Sequence, residues 1–138
     1  KSCTHNFISI KINKTYESDA TILYFPAGMV SRRQPNGEIK DLEWKKTFIV
    51  KSVQYQRDIV PLHFIGHNSK FFYNLAYNRT KLGIKANIEM LYLVDELFKN
   101  KNAGFTAKIG KPIPWQTFTK EKTPLQWAAQ IKEIVYNL

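Results

Sequence analysis

Two adjacent arginines, Arg32 and Arg33, follow the apolar run at residues 20–25 and a Pro-x-Gly sequence. A guanidinium group is a planar fork of donors that binds phosphate or carboxylate through paired hydrogen bonds. Ser31 adds a hydroxyl, and Gly28 has no side chain to hold a ligand away from the backbone. Because these residue types all suit one anionic group, the pattern predicts an anion-binding loop that contains all four.

The alternative is that both arginines are solvated loop charges. Runs of charge mostly lie on exposed surfaces, and Glu38 or Asp41 is close enough in sequence to pair with either arginine. The dipeptide itself does not decide between an anion site and a surface ion pair. Its place after an apolar run and a turn is what favours the anion site.

Charge and composition narrow the class of partner. The 138 residues carry 21 Lys and Arg against 11 Asp and Glu, a net charge of +10, and 43% of them are hydrophobic. The length predicts a single domain over residues 1–138 with a sizeable core. The charge predicts an anionic partner, which is a nucleic acid, a phosphorylated small molecule or an acidic membrane surface.

The cysteine content and the hydropathy pattern bear on the compartment. A single cysteine, Cys3, allows no internal disulfide and no cluster of thiolate metal ligands. No apolar run approaches the roughly 20 residues that span a bilayer, and the first residues lack the apolar core of a secretory signal. We therefore expect a cytoplasmic chain that contacts an anionic membrane only peripherally, at the inner face of the cytoplasmic membrane.

Alternating strand and helix patterns predict the fold class. Apolar runs predict strands at residues 7–12, 20–25, 58–66, 88–93 and 104–113. Helical periodicity and capping residues predict helices at 41–56, at 69–83, from Val94 onward and at 123–137, with a turn at 35–37. This order predicts an α/β domain with a largely parallel sheet flanked by helices. Ligands of such sheets bind beyond the carboxyl ends of the strands, where the arginine loop is expected.

Several stretches of the chain resemble one enzyme family. LYFPAGMVSRR (23–33) resembles the third conserved block of the glycerolipid acyltransferases, the lysophosphatidate-acyltransferase-like family, which typically reads Phe-Pro-Glu-Gly-Thr-Arg-Ser. DIVPLHFIG (58–66) is similar to the fourth block, and KIGKPIPW (108–115) is similar to a late Gly-Lys-Pro-Ile turn. Phe-Pro-Ala-Gly with Val-Ser-Arg, together with DLEWKKTF (41–48), resembles the bacterial hemolysin-type subgroup. The resemblance covers about residues 20–138, in the family's order.

The resemblance implies an acyltransferase. Such an enzyme moves a fatty acyl group from acyl-coenzyme A or acyl carrier protein to a hydroxyl of a phospholipid precursor or related phosphate-bearing lipid, and no further cofactor is implied. In the family the third block helps to bind the acceptor's phosphate. Phe25 and Pro26 match that block as supporting residues. The anion-binding loop thereby becomes the candidate acceptor-phosphate site: Gly28, Ser31, Arg32 and Arg33.

Two departures from the family limit what carries over. Ala27 stands where the family's third block has Glu, so an acceptor other than glycerol phosphate stays open. The family's general base is the histidine of a His-x4-Asp box, but the fifth residue after His5, His63 and His67 is Ile, Asn and Phe in turn. We therefore expect the C-terminal portion of an acyltransferase, with no catalytic residue of its own and no activity alone.

Other patterns in the chain suggest different chemistry. His63 and His67 are spaced i, i+4 but span a predicted strand end, so no metal site is predicted. The aromatic cluster at 71–73 is a candidate for contact with a membrane interface. Two other classes of protein also stay open. One is a basic nucleic-acid-binding module, since lysines and aromatics interleave at 70–81; the other is a non-catalytic remnant that self-associates through an uncovered face.

Overall fold

The computed structural model describes residues 11–138, in which helices and strands alternate. After a helical segment at 11–17, the elements are β1 (Arg32–Arg33), β2 (Ile39–Lys40), α1 (Thr47–Tyr55), β3 (Leu62–Ile65), α2 (Lys70–Lys81), a 3₁₀ turn (Ile88–Tyr92), α3 (Leu93–Lys99), β4 (Thr106–Ile109), a second 3₁₀ turn (Trp115–Thr117) and α4 (Pro124–Tyr136). The α/β class is therefore confirmed. No helix within the described range is long and apolar enough to cross a bilayer.

The sheets differ from the prediction. Residues 11–138 form two antiparallel pairs, β1 with β2 and β3 with β4, rather than a largely parallel sheet. The predicted turn at 35–37 is confirmed, and it closes the first pair because antiparallel neighbours can be joined by a short connection. An isolated bridge between Ile59 and Ile113 extends the second pair.

Two predicted strands near the start of the chain are not seen as strands. The strand at 7–12 lies mostly outside the described residues, and its last two positions are helical. The run at 20–25 has no ladder, and Leu23 and Phe25 are 61% and 68% exposed. A strand needs a partner for its backbone N–H and C=O groups and cover for its side chains. No described residue supplies a strand partner, so the apolar run remains outside any sheet.

The main core lies between α1 and α4. In α4 the buried side chains Trp127, Ile131 and Val135 recur every fourth residue, which places them on one face. The start of α4 is confirmed as predicted, with Thr123 in a capping box and Pro124 at the first helical position. The buried members of this core are Ala27, Trp44, Phe48, Ile49, Phe118, Trp127, Ala128, Ile131 and Val135.

Helix α1 is shorter than predicted because Asp41 does not cap it. The Asp41 carboxylate accepts hydrogen bonds from Ser31 Oγ at 2.6 Å and from Trp44 Nε1 at 3.1 Å. With that carboxylate engaged in tertiary contacts, the helix begins at Thr47 without a side-chain cap. The segment before it, residues 41–46, instead runs beside the loop that carries the two arginines.

The second half of the described chain is built around α2 and α3. Helix α2 is confirmed between its N-cap, Ser69, and Gly83, which has a φ of +71°. The predicted strand at 88–93 is a 3₁₀ turn instead. The turn carries Glu89 into the protein interior, where its carboxylate meets Arg32 and Arg79. The helix predicted from Val94 is confirmed as α3.

Candidate functional site

The Phe-Pro-Ala-Gly sequence forms a tight turn. The Gly28 N–H donates to the Phe25 carbonyl at 3.1 Å, and Gly28 has a φ of +66°. A residue with a Cβ is strained at that φ, so the turn requires glycine. The Pro26 carbonyl accepts the backbone N–H of Lys45 at 3.1 Å, which fastens the turn to the segment before α1.

Lys45 is a cation of this site that the sequence analysis did not select. Its Nζ lies 3.1 Å from the point that a Cβ on Gly28 would occupy. Within residues 11–138 the Lys45 ammonium has no hydrogen bond and no ion pair. An ammonium held against an open glycine turn, without a protein partner, is available to an anion. Its place in DLEWKKTF, a stretch that already resembled the family, is the signal that could have identified it.

Ser31 is engaged in a network that ties the arginine loop to α4. Its hydroxyl donates to Asp41, and the Asp41 N–H donates to Tyr136 Oη at 2.9 Å. Burial raises the pKa of Tyr136 above its ordinary value, so the phenol stays protonated at neutral pH. Lys132 Nζ donates to the Asp41 carbonyl at 2.8 Å. The structure thus gives the Ser31 hydroxyl a positioning contact with Asp41.

Arg32 lies in a largely buried ionic cluster. Its Nη2 donates to Glu89 Oε1 at 2.9 Å, and its Nη1 donates to the Val30 carbonyl at 2.8 Å. Arg79 approaches the same carboxylate, with its Nε 2.8 Å from Glu89 Oε2. The arginine side chains are 12% and 10% exposed and Glu89 is fully buried. Arg32 therefore joins β1 to α2 and the 3₁₀ turn, and most of its donors are already engaged.

Arg33 is the more accessible of the two arginines. Adjacent residues of a strand point to opposite faces, and Arg33 lies at the surface, where its Nη1 donates to Asn74 Oδ1 at 2.7 Å. No other contact engages its guanidinium within the described chain. Arg32 and Arg33 therefore have different roles. Arg32 stabilises the interior, and Arg33 keeps free donors at the surface.

The position that departs from the family is part of the core. Ala27 is buried in the cluster that contains Trp44 and Phe48. Phe25, two residues earlier, is 68% exposed, so the turn presents an aromatic ring to the outside while it buries a methyl group. Alanine at position 27 has no side-chain carboxylate, so this position offers none to an acceptor.

An open cleft lies apart from these residues. It has a volume of about 580 Å³ and lies between residues 41–44 and the outer side of α4, with Gln34 at its edge. Gly28, Ser31, Arg32 and Arg33 do not line it. The anion-binding candidates thus lie on an open surface, with Gly28 and Arg33 exposed and Ser31 and Arg32 partly covered.

The histidines do not assemble a catalytic or metal site within residues 11–138. His63 lies on β3 opposite Lys108, and its ring centroid is 5.4 Å from that of Tyr136. His67 is exposed in the loop before α2. No three His, Cys, Asp or Glu side chains of the described part come together as ligands.

Comparison with known proteins gives a family and two relatives. A family model described as Acyltransferase matches residues 4–136. Two curated proteins, the lyso-glycine lipid O-acyltransferases of Bacteroides thetaiotaomicron and Phocaeicola vulgatus, are each 63% identical to the chain over 123 residues. That match covers 89% of this chain but 45% and 44% of the two relatives, so the chain spans less than half of their length. No solved structure matches the chain.

Proposed function

Because this chain belongs to the acyltransferase family, we propose that it forms the acceptor-binding part of an enzyme that acylates a hydroxyl of an anionic lipid. The observation that carries the proposal is the Lys45 ammonium, which lies over the Gly28 turn and has no hydrogen bond or ion pair with residues 11–138. Arg33, on the same loop, keeps free donors at the surface. Both cations belong to stretches that resemble the family. An anionic headgroup would pair with the Lys45 ammonium and with the Arg33 donors that Asn74 does not engage.

The acceptor that we propose carries a carboxylate rather than a phosphate. Glycine linked to a lipid through its nitrogen presents a free carboxylate, and the two relatives are named for a lyso-glycine lipid. Arginine and lysine bind carboxylate as readily as phosphate. Ala27 supports this choice, because the turn lacks the glutamate of the glycerol-phosphate pattern. Gly28, Lys45 and Arg33 would bind the headgroup, while Ser31 and Arg32 position the loop.

The reaction that we propose is transfer of an acyl group from a thioester, acyl-coenzyme A or acyl carrier protein. The acceptor oxygen attacks the thioester carbonyl, the C–S bond breaks, and the proton of the hydroxyl passes to a general base. No histidine of this chain has an aspartate at the fifth position after it. We propose that the base lies in a part of a longer protein, since the relatives are more than twice as long as the matched stretch.

The exposed run at 20–25 is where we propose that such a longer protein adds its sheet. The run forms no helix and no strand among the described residues, and Leu23 and Phe25 are more than half exposed. A strand laid beside it would satisfy the backbone and give the predicted parallel sheet. Amide hydrogen exchange tests this: residues 21–25 should exchange fast in the 138-residue chain and slowly in the full gene product. Fast exchange in both would contradict it.

The nucleic-acid alternative is not favoured by the comparisons or by the packing. In the stretch 70–81, Phe72 and Tyr73 are 0% and 4% exposed, so two of its four aromatic rings offer no face for a base to stack on. Only Phe71 of the predicted aromatic cluster is substantially exposed, at 50%. The candidate interfacial contact at 71–73 is therefore reduced to that one ring. Peripheral attachment at the inner face of a membrane and self-association remain parts of the proposal.

The test of this function is acyl transfer to lyso-glycine lipid, followed by mass spectrometry. We expect the full gene product to form the acylated lipid from acyl-coenzyme A or acyl carrier protein, and the 138-residue chain alone to bind the acceptor without turning it over. Lysophosphatidate serves as the competing acceptor. Transfer to lysophosphatidate but not to lyso-glycine lipid would overturn the carboxylate assignment. Turnover by the isolated chain would contradict the claim that the chain contains no general base.

A further inference from the structure

The segment at 88–99 buries two carboxylates and exposes apolar side chains. Its buried positions carry carboxylates, since Glu89 and Glu96 are 0% and 2% exposed. Its exposed positions carry large apolar side chains, each between 61% and 80% exposed: Leu91, Val94, Leu97 and Phe98. A surface helix normally buries its apolar stripe and shows its charges to water. This segment does the opposite, so its outer surface lacks the cover that its composition requires.

The exposed apolar side chains form one surface. Leu91, Val94 and Phe98 are spaced i, i+3 and i+7, which places them on one side of a helix, and Leu97 adjoins them. Phe71 of α2 packs edge-on against Tyr92 at a centroid distance of 5.2 Å, so the surface extends to α2. We call Leu91, Val94, Leu97 and Phe98 the 91–98 face. Contiguous apolar surface of this kind marks a binding region more often than scattered exposed residues do.

The segment cannot turn over to bury this face. Glu96 accepts hydrogen bonds from the backbone N–H and from the hydroxyl of Ser69. Glu89 is held by Arg32 and Arg79. Rotating the segment would separate Glu89 and Glu96 from these partners. The buried groups left behind would then be unpaired, which is costly in a protein interior. Cover for the 91–98 face must therefore come from outside the described residues.

Exposed lysines flank the face along the chain. They are Lys81, Lys85, Lys99 and Lys101, and the exposed acid in the same stretch is Asp95. Lys99 Nζ also lies 5.9 Å from the centroid of the Phe71 ring, so cationic and apolar groups are interleaved. Apolar side chains that enter the boundary between headgroups and acyl chains, with lysines among anionic headgroups, are the combination that holds a protein on a lipid surface.

We propose that the 91–98 face docks on an anionic lipid surface. The apolar side chains would enter the interface, and the lysines that flank the face along the chain would contact the headgroups. The choice of lipid as the occupant rests on the proposed function, because an enzyme that acylates a lipid acceptor meets that acceptor at a bilayer. The competing occupants are a second copy of the chain and another part of a longer protein, and the experiments below distinguish them.

The first experiment is vesicle binding by the full gene product. Leu97→Gln with Phe98→Gln removes the apolar contact, and Ile109→Gln is the matched control because Ile109 and Leu97 are both 71% exposed. With vesicles of phosphatidylcholine and phosphatidylglycerol, we expect the double variant to bind at least about tenfold more weakly than the parent. The control should bind like the parent. Equal binding by the double variant and the parent, with both folded by circular dichroism, would overturn the proposal.

The second experiment tests the charge requirement. Lys81→Gln with Lys85→Gln should weaken binding to the anionic vesicles by about fivefold per lysine. The same pair should have little effect on the weaker binding to phosphatidylcholine alone. Loss of binding that does not depend on phosphatidylglycerol would contradict the anionic part of the proposal.

The third experiment separates the competing occupants and the proposed function. A cysteine introduced by Leu97→Cys, with Cys3→Ser, should react with a water-soluble thiol reagent and be protected by anionic vesicles. Protection without vesicles that depends on protein concentration would indicate a second copy, and protection independent of concentration would indicate the longer protein; either overturns the proposal.

Acyl transfer measured with lipid dispersed in detergent should not change in the Leu97→Gln variant. If the parent binds vesicles but transfers no acyl group in detergent, the proposed function is refuted and the docking proposal is not.

Discussion

Arg32 Nη2 donates to Glu89 Oε1 across 2.9 Å, and the Glu89 carboxylate is fully buried. This pair joins the loop after the Phe-Pro-Ala-Gly turn to the 3₁₀ turn before α3. It changes how the two arginines are understood, because the sequence presents them as equals. In the structure Arg32 supports the loop from within, and Arg33 is the arginine that a ligand in solution can reach.

The first prediction separates the two arginines by stability. Arg32→Ala removes one partner of a buried carboxylate, and we expect it to lower the free energy of unfolding by about 3 kcal/mol. Arg33→Ala removes a surface contact and should change that free energy by less than about 0.5 kcal/mol. Urea denaturation followed by circular dichroism measures both. Equal effects of the two substitutions would show that Arg32 does not brace the loop.

The second prediction concerns the close approach of Gly28 and Lys45. Gly28→Ala should cost about 1–2 kcal/mol of stability from its positive φ and should also displace Lys45 Nζ, which lies 3.1 Å from the new methyl group. Gly83→Ala is the matched control, since Gly83 has a φ of +71° and nothing within 4 Å of its Cβ position. We expect similar losses of stability, but weaker binding of lyso-glycine lipid only for Gly28→Ala. Equal acceptor binding by both variants would remove Lys45 from the site.

The third prediction is a pH dependence that comes from Glu96. Burial raises the pKa of this carboxyl, but hydrogen bonds from Ser69 and Lys99 outweigh burial, so its pKa in the folded protein lies below the ordinary 4.5. A depressed pKa adds stability that is present above pH 4.5 and is lost as the pH falls through the folded-state pKa. Glu96→Gln should therefore cost about 2 kcal/mol at neutral pH and less in acid.

Thermal melting across a pH series measures this difference. Glu121→Gln, at an exposed position, is the control and should follow the parent at every pH. A Glu96→Gln variant whose destabilisation is the same in acid as at neutral pH would show that the ionised carboxylate is not what holds Ser69.

The sequence was sufficient to predict the features that depend only on residues close together in the chain. The turn at 35–37, the capping of α4 by Thr123 and the limits of α2 depend on neighbours within a few residues, and all were predictable. The acyltransferase family was also identified from short blocks, and the family match confirms it. The turn, the cap and the helix limits are fixed by turn chemistry, capping and spacing, which a single sequence displays directly, whereas the family was identified by resemblance.

Features that depend on distant partners were not predictable. The strand expected at 88–93 became a 3₁₀ turn because Glu89 pairs with Arg32, a residue far away in the sequence. Asp41 did not cap a helix because Ser31 and Trp44 hydrogen-bond its carboxylate. Lys45 was not selected because its approach to Gly28 exists only once the two segments are packed together. In each case a tertiary contact overrode a local preference.

The central claim is that Lys45, which lies against the Gly28 turn, and Arg33, on the loop that follows the turn, bind the acceptor's anionic headgroup. The most direct measurement is the steady-state kinetics of acyl transfer to lyso-glycine lipid by the full gene product and by its Arg33→Ala, Lys45→Ala variant. Loss of two charge-assisted contacts to the substrate should raise the KM for the acceptor by about tenfold or more, with a smaller change in kcat. Lys46→Ala, which changes the neighbouring lysine, is the control. A double variant with the parent's KM would contradict the account.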